Sequence, residues 1–112
     1  MALKIKFEAN SNSLENVVPD RIRFTSSANQ ETSTVTLNFY NPTRLFNSNI
    51  ILNEQQSIKA SFSLNVNWKY TTKDIRIIWV NGKPLILQAV FLLTSKVESL
   101  KLKHYLEITK LN

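Results

Sequence analysis

The stretch from Asp74 to Leu93 constrains this chain more than any other. Two apolar, β-branched runs, Ile75-Arg-Ile-Ile-Trp-Val80 and Leu85-Ile-Leu-Gln-Ala-Val-Phe-Leu-Leu93, flank Lys83-Pro84 and the dipeptide Asn81-Gly82. A two-residue hairpin turn needs positive φ at both centres, which Asn and Gly adopt most readily. Gly82 is the only glycine in the sequence, so it is expected where no side chain is allowed. The turn predicts a register: Val80 opposite Lys83, Trp79 opposite Pro84, Ile77 opposite Ile86 and Ile75 opposite Gln88. Trp79, Pro84, Ile77 and Ile86 then share one face, and Ile78, Leu85 and Leu87 the other. Both faces are mostly apolar and each needs cover, one from the core and one from a helix, another sheet or a partner protein. Pro84 has no N–H to donate, so a third strand should not pair there.

The rest of the chain reads mainly as strands. Leu3, Ile5 and Phe7 alternate with Lys4 and Lys6, and Ile22 and Phe24 with Arg21 and Arg23. Val35, Leu37 and Phe39 alternate with Thr34, Thr36 and Asn38, up to a turn at Asn41-Pro42. Asn10 to Asn16 and Ser26 to Thr32 read as polar loops. Leu45-Phe46 is expected to plug a core edge from a loop or short helical turn. The alternation from Ile58 to Tyr70 is too long for one strand, so a turn near Asn65 to Asn67 should fold it into a hairpin continuing toward Trp79. Ser95 and Glu98 fit a capping box at a helix start. Val97, Leu100, His104, Ile108 and Leu111 then form one apolar stripe. Leu100, Leu102, Leu106 and Ile108 also alternate as a strand would, and the cap and the lack of turn signals favour the helix. The fold class is α+β, mostly β: an antiparallel sheet of hairpins with a C-terminal helix, in a single domain spanning 1–112.

Composition narrows the chemistry. The sequence has 112 residues and no cysteine, which excludes disulfides, thiol catalysis and thiolate metal sites. No apolar run is long enough to span a bilayer and the N-terminus lacks a signal-peptide core, so the chain is expected to be soluble or peripheral to a membrane. A net charge of +6 favours acidic partners: nucleic acid, anionic lipid head groups or an acidic protein face. The lone His104 has no catalytic partner in the sequence pattern, and a general base needs one within hydrogen-bond reach. Glu15 and Asp20 lie near each other in a loop and read as solvated. No metal-ligand spacing or phosphate-cradling glycine loop is present, and no cofactor is expected. Trp68, Lys69, Tyr70, Lys73, Arg76 and Trp79 mix aromatic and basic residues as single-strand nucleic-acid binders do, but no specific nucleic-acid motif accompanies them.

Four blocks, taken in order, resemble one family: Val17-Val-Pro-Asp-Arg-Ile-Arg23, Val35-Thr-Leu-Asn-Phe-Tyr-Asn-Pro42, Val80-Asn-Gly-Lys-Pro84 and Leu87-Gln-Ala-Val-Phe-Leu-Leu-Thr-Ser95. Their order and spacing are similar to those of the small photosystem II assembly protein called Psb-twenty-eight, the thirteen-kilodalton or reaction-centre W protein. The match runs from about Lys4 to the C-terminal helix. The resemblance implies a non-enzymatic assembly factor, peripheral to the thylakoid membrane on its cytoplasmic or stromal side. It implies transient binding to photosystem II precursors through the core antenna and reaction-centre loops. Two departures point to a divergent member or second paralogue: Asn65-Val-Asn-Trp68 in place of an acidic, glycine-containing turn, and a basic C-terminal segment with Lys101, Lys103 and Lys110.

Two functions follow as expectations. The first is a binding module that accepts an extended tail at an exposed strand edge. Lys4, Lys6, Arg21 and Arg23 would complement acidic loops or lipid heads, and Asn81, Gly82 and Lys83 would form a rigid projecting tip. The alternative is a basic single-stranded nucleic-acid- or ribosome-binding domain, whose affinity would fall steeply with salt. An enzyme ranks last, for want of a catalytic set.

Overall fold

Among the described residues, eight strands and two helices succeed one another. They are β1 (Lys4–Ala9), β2 (Asn12–Glu15), β3 (Arg21–Ser26), β4 (Ser33–Tyr40), α1 (Pro42–Phe46), β5 (Lys59–Asn65), β6 (Trp68–Thr72), β7 (Ile75–Val80), β8 (Lys83–Leu93) and α2 (Lys96–Thr109). They are seen in a computed structural model that describes residues 4–9, 11–29, 31–46, 50, 52, 57–65 and 68–109. The strands divide into two antiparallel four-stranded sheets. The first has the order β2-β1-β5-β6 and the second β3-β4-β8-β7. The fold is thus α+β and mostly β, as the alternation predicts.

The two sheets pack face to face because alternation gives each an apolar side. Ile5, Phe7, Ala60 and Phe62 of the first sheet are buried, as are Val35, Leu37, Phe39, Leu87, Ala89, Phe91 and Leu93 of the second. Phe7 meets Phe39 edge-on at 5.0 Å, and Phe62 meets Phe91 at 4.6 Å. These contacts between sheets define the centre of the core. Pro42 opens α1, where its missing N–H costs nothing, and α1 turns Phe46 inward to within 5.2 Å of Phe7. The expected plug is therefore present, and Phe46 supplies it.

At the hairpin, the turn is as predicted: Asn81 has φ 53° and Gly82 φ 77°. The reason for glycine differs from the expectation, however. A Cβ at Gly82 would meet nothing within 4 Å, so the demand comes from the backbone angle and not from lack of space. The register also departs. Val80 faces Lys83 and Trp79 faces Pro84, but Ile78 faces Ile86, Ile77 faces Leu87 and Ile75 faces Ala89. Leu85 is an extra residue, a β-bulge beside the proline. Beyond it, Ile75 and Ile77 join Leu87 and Ala89 over the core, and Ile78 joins Ile86 on the outer face. A third strand does stop short of Pro84, since β4 pairs with β8 only from Ile86 to Leu93.

Other departures are local. Asn12–Glu15, read as loop, forms the short edge strand β2 against β1; Leu14 packs against the core while its polar neighbours suit an edge. Strands β5 and β6 form the expected hairpin; its turn, 66–67, lies outside the described residues. The meander then changes sheet at Thr72–Asp74 instead of continuing flat. Thr72 Oγ1 donates to the Val90 carbonyl at 2.8 Å, and Val90 N–H donates to the Asp74 carbonyl at 3.1 Å. This corner takes over the backbone pairing of β8 where β7 ends.

Helix α2 starts at the predicted cap, where Glu98 N–H donates to Ser95 Oγ at 3.4 Å. Its buried side is not the predicted stripe. Ser99 and Leu102 are buried and Tyr105 half-buried, whereas Val97, Leu100 and His104 are exposed. The small Ser99 lets the helix approach closely and Leu102 enters the core, which turns Val97 and Leu100 to solvent. The Ile108 side chain and Leu111 lie outside the described residues.

Candidate functional site

Alternation decides where the basic residues point, and it separates the predicted set. With Ile5 and Phe7 in the core, Lys4 and Lys6 emerge on the outer face of the first sheet, opposite Ser63 and Ser61. Lys6 lies 3.5 Å from Glu8, which also lies 3.7 Å from Lys59. Exposed pairs of this kind add little stability. Lys4, Lys6, Ser61 and Ser63 line, with Glu15 and Asn16, a shallow hollow of about 190 Å³.

Arg21 and Arg23 emerge elsewhere. Ile22 and Phe24 pair with Leu37 and Val35 over the core, so the arginines, opposite Asn38 and Thr36, project from the outer face of the second sheet. The two sheets turn their outer faces in opposite directions, so Lys4 and Lys6 form no common patch with Arg21 and Arg23. Asn81, Gly82 and Lys83 are exposed at the tip of the second sheet's hairpin.

The outer face of the second sheet holds more than the sequence reading assigned to it. Tyr40, Ile86 and Ile78 are consecutive cross-strand partners, and Tyr40 and Ile78 are exposed. The next row runs Arg21, Asn38, Gln88, Arg76. Thr34, Thr36 and Asn38 face outward as the alternation of β4 predicts; Tyr40, which continues that row, and what the row stands beside were not assigned. Leu92, at 67 % exposure, lies opposite Thr34. The apolar second face of the hairpin is thus left without cover among the described residues.

Asp20, read as solvated, holds β3 to β4. Its Oδ2 accepts Tyr40 N–H at 2.8 Å, and its own N–H donates to the Asn38 carbonyl at 2.9 Å.

The aromatic and basic constellation is dispersed. Tyr70 faces the core and stacks on Phe62 at 4.9 Å and 29°. Its hydroxyl lies near Glu98 without a hydrogen bond of good geometry. Burial first, and the Glu98 carboxylate second, push the phenol well above its ordinary range. Trp79 is half-buried on β7 in the other sheet, and Arg76 grips Asp74 with two bonds of 3.1 Å. The side chains of Trp68 and Lys69 lie outside the described residues. Tyr70 and Trp79 therefore share no stacking platform.

The sheet margins are β2 and β6 in the first sheet and β3 and β7 in the second. Strand β2 is short and polar, and β6 ends at Thr72 on the Val90 carbonyl. The bulge at Leu85 distorts the β7–β8 pair. By contrast, β3 pairs with β4 without a break from Arg21 to Ser26, and its core-side Ile22 and Phe24 are only half-buried.

Among the described residues no group of three or more His, Asp or Glu side chains is placed to hold a metal, and no helix is long and apolar enough to cross a membrane. No family model matches the sequence. Among curated proteins, the photosystem II reaction center Psb28 protein of Guillardia theta is 30% identical over 97 residues, covering 83% of this chain and 77% of that protein. The photosystem II reaction center Psb28 protein of Pyropia yezoensis is 32% identical over 81 residues, covering 72% and 67%.

Proposed function

The chain belongs to the Psb28 family, and from that premise we propose that it is a non-enzymatic accessory factor of photosystem II assembly. It binds transiently to precursors of the complex from the cytoplasmic or stromal side of the thylakoid membrane. There it contacts the core antenna and reaction-centre loops and remains peripheral to the bilayer. The names of both relatives support a role tied to photosystem II.

The observation that carries the mechanism is the regular margin of β3. Six consecutive residues, Arg21–Ser26, pair on one side only among the described residues. An extended tail laid antiparallel along β3 would gain main-chain hydrogen bonds and cover the half-exposed Ile22 and Phe24. Arg21 and Arg23 would select acidic residues in that tail. The Asn81-Gly82-Lys83 tip serves as a rigid projection at the end of the same sheet. Lys4 and Lys6, on the opposite face, are left for acidic loops or lipid head groups.

The test is co-purification. Tagged chain should be recovered with photosystem II precursors from detergent-solubilised thylakoids. A variant with Ile22→Pro, which blocks edge pairing, should lose them while staying folded. Consistent absence of the unmodified chain from those precursors removes the proposal.

A further inference from the structure

We propose that the outer face of the second sheet is a second docking surface, for an acidic, amphipathic polypeptide segment. It deepens the reading of the chain as a binding module and uses a face, where that reading uses an edge. Tyr40, Ile86 and Ile78 form an apolar row across three strands, with Ile78 44 % exposed. Contiguous exposed apolar surface of this kind marks interaction sites on soluble proteins.

Charge selects the occupant. Arg21 and Arg23 stand on one side of the face and Arg76 on the other; Arg76 is engaged by Asp74, and Asp20, next to Arg21, accepts Tyr40 N–H. Arg21 and Arg23 have no ion-pair partner among the described residues. A second copy of the chain is a poor occupant, because a two-fold contact would lay this arginine-bearing face against itself. A bilayer is a poor one too. Its hydrocarbon would cover Asn38, Gln88 and Thr36 without returning hydrogen bonds. An acidic segment of protein satisfies all three demands, with carboxylates for the arginines, apolar side chains for the Tyr40 row and donors for the polar middle. Asn38 supports this independently: it is 8 % exposed and its Oδ1 has no hydrogen-bond partner among the described residues.

The experiment places a photo-cross-linking residue at position 78 of the full chain and irradiates intact phototrophic cells, with adducts identified by mass spectrometry. An adduct on an acidic, amphipathic segment is the expected result. Gln88→Glu, at the centre of the face and away from the β3 edge, should lower its yield roughly tenfold, and Gln88→Lys should restore it. Lipid adducts, adducts with a second copy, no adduct, or a yield indifferent to the charge at position 88 would overturn the proposal. The adduct's identity separates this surface from the parent reading. An acidic segment outside photosystem II upholds the surface and counts against the assembly role. Recovery of precursors without an acidic adduct does the reverse.

Discussion

Pro84 lies opposite Trp79, yet the next pair along, Ile86 opposite Ile78, is out of step with it by one residue. The extra residue is Leu85, whose carbonyl accepts Asn41 N–H at 2.8 Å in step with the β4–β8 register. That bond ties the bulge to the end of β4, so the offset is built into the sheet. Leu85→Ala, at a half-exposed position, should cost less than about 1 kcal/mol. Deleting Leu85 should leave Trp79 opposite Pro84 and Ile78 opposite Ile86 in one unbroken register, so the cooperative urea transition should survive. Loss of that transition in the deletion variant would show that the pairs beyond the turn depend on the bulge.

Gly82 gives a cleaner measurement. With open space around its missing Cβ and φ at 77°, Gly82→Ala isolates the cost of a left-handed backbone. That cost should be about 1–2 kcal/mol in urea unfolding, with no change in slope. A larger loss would mean that something crowds the turn after all.

How much was legible in the sequence follows from what each signal encodes. The alternation in β1, β3, β4 and β5 reports local geometry and placed strands and core faces correctly; the Asn81-Gly82 turn placed the hairpin and its first two pairs but not the register or faces beyond Trp79. The bulge at Leu85 sits where the β4–β8 ladder, reaching Asn41 N–H to the Leu85 carbonyl, meets the turn, and Asn41 is more than forty positions away in the sequence, beyond what local patterns report. Helix α2 misled because its apolar residues fit more than one stripe; Leu102 and Ser99 win through contacts with the sheets. The basic residues were found one at a time. That Arg21 and Arg23 share a face with Arg76, and not with Lys4 and Lys6, follows only from which strand enters which sheet.

Phe7 should be among the most costly single truncations. It is fully buried between Phe39 at 5.0 Å and Phe46 at 5.2 Å, so it links the first sheet, the second sheet and α1. Phe7→Ala should lose about 3–5 kcal/mol, against much less for Phe24→Ala on the half-exposed margin. Equal losses in denaturant titrations would contradict the central place given to the Phe7 cluster.

Tyr70 makes the fold sensitive to alkali. Burial and Glu98 raise its pKa in the folded state above the 10.0 of an ordinary tyrosine. A group raised in this way contributes stability that is complete below the unfolded pKa and is lost as pH rises through the folded one. Unfolding free energy should therefore decline from about pH 10 upward. Tyr70→Phe should flatten that decline, and phenolate absorbance should show one tyrosine resisting ionisation. An unaltered alkaline slope in Tyr70→Phe would place the sensitivity elsewhere.

Asn38 distinguishes a residue kept for the fold from one kept for a partner. Its backbone carbonyl is used, by Asp20 N–H, but its buried Oδ1 is not satisfied among the described residues. An acceptor in that state costs about 1–3 kcal/mol. Asn38→Leu is close in shape, removes the unmet acceptor and suits a strand, so the free protein should be as stable as the parent or more so. Capture by the acidic segment should fall in the same variant, since the polar floor of the docking face is gone. Stability and binding thus move in opposite directions if Asn38 serves the surface. A parallel loss of both would make it a structural residue, and the arginines would then have to carry recognition alone.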